Sequence, residues 1–541
     1  MAKRKEYPVR FTPHGLSDAW DSTYAFPGAC KSLSNLIFDS GNGELLQARP
    51  GVGLPTSSFL GFIAPGAISV MLTVGNLIYG LIATSRNAGK EEPFCWNTTT
   101  NSFVSISGVT SANTPTALAT TGDVTVPTAA VIGSKLIITH SGFSGAVNVF
   151  FGVIDISNPA SPAWSCANTA TSPLPSVPTC VANFNNRAYF GCGQYLYFSD
   201  VLVPTTMTSS TQSLTVGDTS AITAISGLPI QTSSAGIQAG LIAFKSSQIW
   251  QINGDSATSS NPLSLNYIAL NIGCVSPRTV VQTPIGTLFI SSDGPYVVTT
   301  LGQVEPLTKG DGKLVQDIQA PFQNVINPSR ATASFSASIY RVSLDTTISG
   351  VTFNGDYWFD ITVGRWNGPH SFSYDCITPI GSSFIISHRL KGPFLFTSQT
   401  LPTAKTVYND WGSPLNVTFQ SSMFPKTEEP SVKSVVESAI ELGTLGPSST
   451  FIVTAYGENQ AKLDSVSVVV NKNLTYWKDG SLWGSSDTWN STTVQPTTVT
   501  LPWTKPLVFV KLSIKIEAVA TPNLSIGTFK CKYNDCGYFN I

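Results

Sequence analysis

Ala188-Tyr-Phe-Gly-Cys-Gly-Gln-Tyr-Leu-Tyr-Phe-Ser-Asp200 is two short aromatic runs separated by a Gly-bearing turn. Runs of this length, broken by Gly and polar residues, read as the two arms of a hairpin. The template returns in Leu241 to Asn253, Thr287 to Thr299 and Phe384 to Phe396, and more loosely in Val70 to Ala83, Leu136 to Ile154 and Ile339 to Phe359. Their spacing of about 45 to 65 residues approaches the roughly 40–50-residue blade period of β-propellers once loops are added. Each blade buries its faces only against its neighbours, so one propeller can occupy a very long stretch of chain. Outer strands recur as well: Phe94 to Phe103 and Tyr357 to Trp366 both run aromatic, polar turn, aromatic. A row of separate β-sandwiches is the competing architecture.

Helical periodicity is nearly absent outside Asp311 to Gln319, where Leu314, Val315 and Ile318 share one face ahead of Pro321. Beyond Leu401 the hairpin template gives way to longer strands. Phe509 to Ala518 alternates cleanly, with Leu512, Ile514 and Ile516 on one side and Ser513, Lys515 and Glu517 on the other. One apolar and one polar face marks a half-buried antiparallel sheet. The chain therefore divides into an extended N-terminal arm (1–57), an all-β propeller of six or seven blades (58–400) and a β-sandwich-like domain (401–541).

Only 11% of the 541 residues are charged, with 30 basic against 31 acidic side chains; an ordinary soluble protein carries about 25%. That composition excludes intrinsic disorder, which needs low hydrophobicity and high net charge. The balance of sign, without a long basic run, argues against a phosphate-binding surface. Phe59 to Ala83 is apolar enough to suggest a membrane span, but Pro65 and the Gly75-Asn76 pair interrupt it, and Gly-Asn between apolar runs signals a hairpin. Met1 to Pro8 has charge but no apolar segment behind it, so no signal peptide is expected. Sequons begin at Asn97, Asn416, Asn473, Asn490 and Asn523, as chance allows in a Ser/Thr-rich chain. The 9 cysteines are scattered; only Cys531 and Cys536 are close together, and the 4 histidines show no metal-ligand spacing. Buried free thiols are the expectation, with no metal and no cofactor.

Motifs that carry chemistry are scarce. Nucleophile elbows, zinc-protease motifs and dinucleotide loops are missing from the sequence. Lys309-Gly-Asp-Gly-Lys313 lacks the spacing of a phosphate loop and reads as a turn. Glu91-Glu92 and Glu428-Glu429 point apart if they lie on strands, which makes poor acid/base pairs. Asp356 and Asp360 flank Tyr357-Trp358-Phe359, where a glycosidase would need carboxylates across a cleft; strand-end turn residues are the plainer reading. Ser291-Ser-Asp-Gly294 departs from the Asp-box turn of sialidase-type propellers. His370 reads as a structural turn histidine, and the 11 tryptophans as blade packing. No catalytic residue is assigned and a non-enzyme is expected.

Near the N-terminus, Phe11 to Trp20 leads through Phe26-Pro-Gly28 to Asn35-Leu-Ile37 and then Gly43-Glu-Leu-Leu-Gln-Ala-Arg-Pro-Gly51. This arm, set ahead of propeller hairpins, the Trp366-Asn-Gly-Pro-His370 strand and a C-terminal sheet, resembles the tail hub or nozzle proteins of short-tailed, podovirus-type bacteriophages. The resemblance implies a structural virion protein made in the bacterial cytoplasm. It implies a hexameric ring that sits below head-to-tail adaptor proteins, adjoins tail fibres or spikes, and passes double-stranded DNA through its channel without reading its sequence. Stable membrane insertion is not expected. The arm would dock on a neighbour or the adaptor, its Lys3-Arg4-Lys5 cluster against acidic surface. Two alternatives stay open: a propeller-type glycan-binding or glycan-degrading phage protein, which predicts carboxylates at the propeller axis, and a baseplate or spike-base protein without a DNA channel.

Overall fold

The computed structural model describes residues 4–9, 30–38, 45–52, 68–83, 87–118, 125–143, 149–168, 174–209, 211–232, 236–254, 262–307, 322, 325–348, 351–362, 364–371, 373–388, 392–396, 409–410, 412–424, 431–444, 448–471, 497–521 and 524–536. The expected helix at Asp311 to Gln319, the Lys309 to Lys313 turn and Glu428-Glu429 lie outside these residues.

Seven antiparallel sheets follow one another along the chain, and each contains one of the seven sequence hairpins. Blade 1 is built from Ile68–Val74, Leu77–Ala83, Glu91–Asn97 and Ser102–Val104. Blade 2 takes Thr128–Ile132, Lys135–Thr139, Val149–Asp155 and Ala163–Asn168; blade 3 takes Cys180–Phe184, Arg187–Cys192, Tyr195–Phe198 and Ser213–Thr215. Blade 4 consists of Ile222–Thr232, Gly236–Lys245, Gln248–Asn253 and Ser264–Leu270. Blade 5 consists of Val281–Thr283, Gly286–Ser291, Gly294–Thr299 and Val304–Pro306. Blade 6 is Thr332–Ser336, Ile339–Ile348, Val351–Asp360 and Arg365–His370, and blade 7 is Cys376–Ile380, Ser383–His388 and Gly392–Phe396. The first strand of each blade lies beside that of the next, and blade 7's lies beside blade 1's, so the ring closes. The fold is an all-β propeller, and its blade count is seven.

Apolar residues from facing blades lock the ring. Phe151 of blade 2 stacks on Phe190 of blade 3 with centroids 4.7 Å apart, and Phe244 of blade 4 meets Phe289 of blade 5 at 5.0 Å. Ile68, Ile78, Phe94 and Trp96 of blade 1 close on Cys376 and Ile385 of blade 7. Of the apolar run Phe59 to Ala83, residues 68–83 form the first hairpin of blade 1, turning at Gly75-Asn76 with Gly75 at φ 61°, and residues 59–67 lie outside the described residues. Only glycine enters that left-handed region without steric cost. Among the described residues no helix is long and apolar enough to cross a membrane.

The C-terminal sandwich has two layers, one a sheet of its own and the other continuous with blade 6, and strands from the first fifty residues enter both. One sheet runs Leu36–Phe38, Leu46–Ala48, Ser525–Asp535, Lys433–Gly443 and Thr497–Thr500, with Arg4–Val9 alongside Ser525–Asp535. The other continues outward from blade 6: Arg365–His370 pairs with Cys30–Ser34, which pairs with Asn416–Ser421, followed by Ser513–Val519, Ser449–Tyr456 and Lys462–Val470. One hydrophobic core runs from Leu288 and Trp366 in the propeller to Ile514 and Phe529 in the sandwich. The segment 1–57, set apart in the sequence, thus builds sheets with strands of 401–541 in the same chain.

Candidate functional site

Seven inner strands around an axis leave a central cavity of about 480 Å³, and every blade lines it. Met71, Ala129, Val181, Ser226, Gln282, Ala333 and Ile377 each represent one blade in its wall. The rest of the lining is aliphatic, thiol, hydroxyl or amide, and among the described residues it contains one charged side chain, Arg278. No carboxylate appears among the lining residues, so the axial wall alone is not the acid cluster that a glycan-degrading propeller predicts.

The charged groups gather at one mouth of this cavity. Antiparallel pairing sets the start of each inner strand beside the end of the second strand, as in Thr332 opposite Ser343 and Cys376 opposite Ser387. Arg330 and Asp375, just ahead of two inner strands, therefore sit at the same end as Asp345 and His388, just past those partners. Arg278 precedes the inner strand of blade 5 and reaches over the mouth. Its Nη1 donates to the Ser69 carbonyl of blade 1 (2.7 Å) and to Cys376 Sγ of blade 7 (3.2 Å), and its Nη2 donates to the Arg330 carbonyl (3.3 Å).

Two carboxyl groups share this mouth. Burial pushes the Asp345 carboxyl above its ordinary 3.8, and the neighbouring Asp375 charge adds to the rise, against Ser373, His388 and Arg330. Burial also raises Asp375, against the charges of His388, Arg278 and Arg330. One oxygen of Asp345 is buried without a hydrogen-bond partner. Two desolvated carboxyls in mutual range disfavour double ionisation, and such pairs divide acid and base roles. Sequence reading missed Arg278, Asp345, Asp375 and His388. The signal available was position: polar residues immediately flanking apolar inner strands.

Glu91 also lies near this end, but its chemistry is spent. His140 Nε2 lies 3.0 Å from Glu91 Oε2, Ser69 Oγ donates to the same oxygen, and the Gly142 N–H donates to His140 Nδ1 at 2.8 Å. The arrangement ties blade 1 to blade 2. Glu92 is buried as well.

Several sequence expectations resolve into one buried polar junction between propeller and sandwich. Asp356 is no strand-end turn residue: it is fully buried, with Arg341 Nη2 at 2.7 Å, and it accepts from Trp358 Nε1 (2.8 Å) and Tyr374 OH (2.9 Å). Asp360 does belong to a turn, accepting from the Thr362 backbone N–H at 2.8 Å. His370 closes a strand, and its Nδ1 accepts the Asn35 N–H at 3.1 Å. Burial, then the charges of Arg49 and Arg341, hold this imidazole well below 6.5, so it is neutral. The Asn35 and Arg49-Pro-Gly51 motif is likewise internal: Arg49 Nε donates to Asn35 Oδ1 (2.9 Å), and its Nη2 pairs with Asp410 Oδ2 at 2.6 Å. Asn35 holds φ 58°, a conformation that Asn tolerates better than most residues. A Cβ on Gly51 would lie 2.2 Å from the Asn409 carbonyl oxygen.

Seven of the nine cysteines are buried, and none is in a disulfide. Burial pushes the Cys30, Cys180 and Cys274 thiols up to about 12, which leaves them unreactive. Among the described residues no group of His, Cys, Asp or Glu could hold a metal ion.

No protein-family model matches the chain, and no curated protein matches it. Among solved structures it is similar to an exo-beta-1,3-galactanase from Phanerochaete chrysosporium, at 11% identity and TM-score 0.27, over 93% of this chain and 99% of that one. It is similar to the β-propeller domain of the Trilobed protease from Pyrococcus furiosus at 10% identity and TM-score 0.32, covering 62% and 96%. A puromycin hydrolase matches at 9% identity and TM-score 0.35, over 66% of this chain and 58% of that one. These likenesses concern the fold. The expectation of a non-enzyme is not upheld beside them: all three names are those of enzymes or, for the protease, of a domain of one, and none of those activities is assigned to this chain.

Proposed function

We propose that the protein acts on glycans at the mouth of its axial cavity. The observation that carries this reading is the Asp345 and Asp375 pair, both raised from the ordinary 3.8 by burial, at the mouth of a cavity that all seven blades line. A carboxyl whose protonated form burial favours can donate to a leaving glycosidic oxygen while its ionised neighbour activates water or stabilises positive charge. The hydroxyl and amide groups of the wall suit a polyhydroxylated ligand. The test is release of reducing sugar from a panel of bacterial surface polysaccharides. Hydrolysis by the native chain, lowered about 10²- to 10⁴-fold in Asp375→Asn, supports the reading; no release from any member of the panel overturns it.

A second reading, supported by the surface, is a ring subunit of a short-tailed phage tail hub. Val436, Ile452, Val469, Val508 and Val519 of the sandwich are exposed in a chain with 11% charged residues. Among the described residues Lys462–Val470 pairs on one side only, and a free strand edge is a pairing surface. This reading places the protein in the virion, with adaptor, fibre or spike partners and DNA in transit. Negative-stain imaging showing a six-fold ring with an open channel supports it; a monomer counts against it.

A further inference from the structure

We infer that the ligand of the axial cavity is anionic, a glycan carrying a sugar carboxylate that pairs with Arg278. The inference rests on the glycan reading above and narrows its substrate class.

Among the described residues Arg278 is the one charged side chain in the cavity wall. It donates to two backbone carbonyls and a thiol sulfur, all formally neutral. These contacts hold the guanidinium across the mouth without cancelling its charge. Nη1 has both N–H groups engaged, whereas Nη2 has one acceptor, and the buried Nε has none. A buried donor left without an acceptor is destabilising, so the native fold keeps this cation incompletely satisfied. Asp375 is near enough for its charge and that of Arg278 to interact, and burial raises its carboxyl against that attraction.

A carboxylate matches what is missing. It brings a full negative charge and an acceptor oxygen for the open N–H of Nη2, in a short charge-assisted hydrogen bond. A neutral hydroxyl supplies no such charge. The wall around Arg278 offers Gln282, Asn183, Thr332 and Thr378 for the uncharged hydroxyls of the same sugar.

Titration calorimetry of the full chain with an oligogalacturonate and a size-matched neutral galacto-oligosaccharide tests this. The expected result is binding of the acidic sugar that weakens as salt rises, falls about 10- to 100-fold in Arg278→Gln, and is partly kept in Arg278→Lys. Equal binding of both sugars, with no salt dependence, overturns the anionic assignment while the glycan reading stands. Binding of neither sugar overturns this assignment too, and polysaccharide hydrolysis then decides the glycan reading separately. If Arg278→Gln fails to fold, the salt dependence of the native chain and the Arg278→Lys affinity decide alone: no weakening in salt overturns the assignment.

Discussion

At the scale of single residues, the chain separates buried charge that holds the fold from charge that can do chemistry. Arg341 lies over the rings of Trp358 (5.0 Å), Tyr374 (5.2 Å) and Phe384 (5.6 Å) while pairing with Asp356, and every group in that set is committed. His370 belongs to the same junction, and its neutrality has a measurable consequence. The unfolded chain takes up a proton near 6.5, and the folded chain resists doing so. Between 6.5 and the depressed native value the unfolded state binds more protons, so stability is full above about 6.5 and is lost as pH falls. The melting temperature of the native chain should drop between pH 7 and 5 more steeply than that of His370→Gln. Parallel curves for the two proteins would show that His370 does not titrate this way. Little of this junction was legible in the sequence, because Asn35, Arg49, Asp356, His370 and Asp410 converge only through long-range pairing. The Arg49-Pro-Gly51 motif was noticeable, but its reason, a close approach to Asn409 and an ion pair to Asp410, was not.

At the scale of elements, legibility was much higher. The seven hairpins read from aromatic runs and Gly turns each became part of one blade, because the local pattern of a blade is the whole signal for it. The inner strands were harder to see. Val281–Thr283 is three residues long and carries little periodicity, although it completes the ring. Glycines inside strands mark close packing that a pattern search treats as noise. Gly152 in blade 2 is such a position: a Cβ there would lie 2.0 Å from the Trp164 ring, whose Nε1 is fixed by a 3.0 Å hydrogen bond to the Asn113 carbonyl. Gly152→Ala should destabilise the chain by about 1–3 kcal/mol through overpacking, read as a lower denaturation midpoint. An unchanged midpoint would mean that the indole moves aside freely.

At the scale of the whole molecule, propeller and sandwich are joined through one short strand. Leu33, fully buried in Cys30–Ser34, faces Gly368 of blade 6 on one side and Phe419 of the sandwich on the other. The shared core and the Arg49–Asp410 pair strengthen the same seam. Coupling of this kind predicts a single calorimetric transition for the native chain. Leu33→Asp, which buries an unpaired charge in the connecting strand, should split that transition in two. Two transitions in the native chain would show that the halves melt independently. Division of the sequence into arm, propeller and sandwich follows chain order, and chain order hides this seam.

The pairing of Arg4–Val9 with Ser525–Asp535 also governs how the molecule is made. Blades can pack one after another as they leave the ribosome, since each needs only its neighbour. The earliest strands must wait, unpaired, until the last ones emerge, tens of seconds later at ordinary translation rates of about 5–20 residues per second. During synthesis the exposed β-rich start of the chain is therefore the segment that most needs a chaperone.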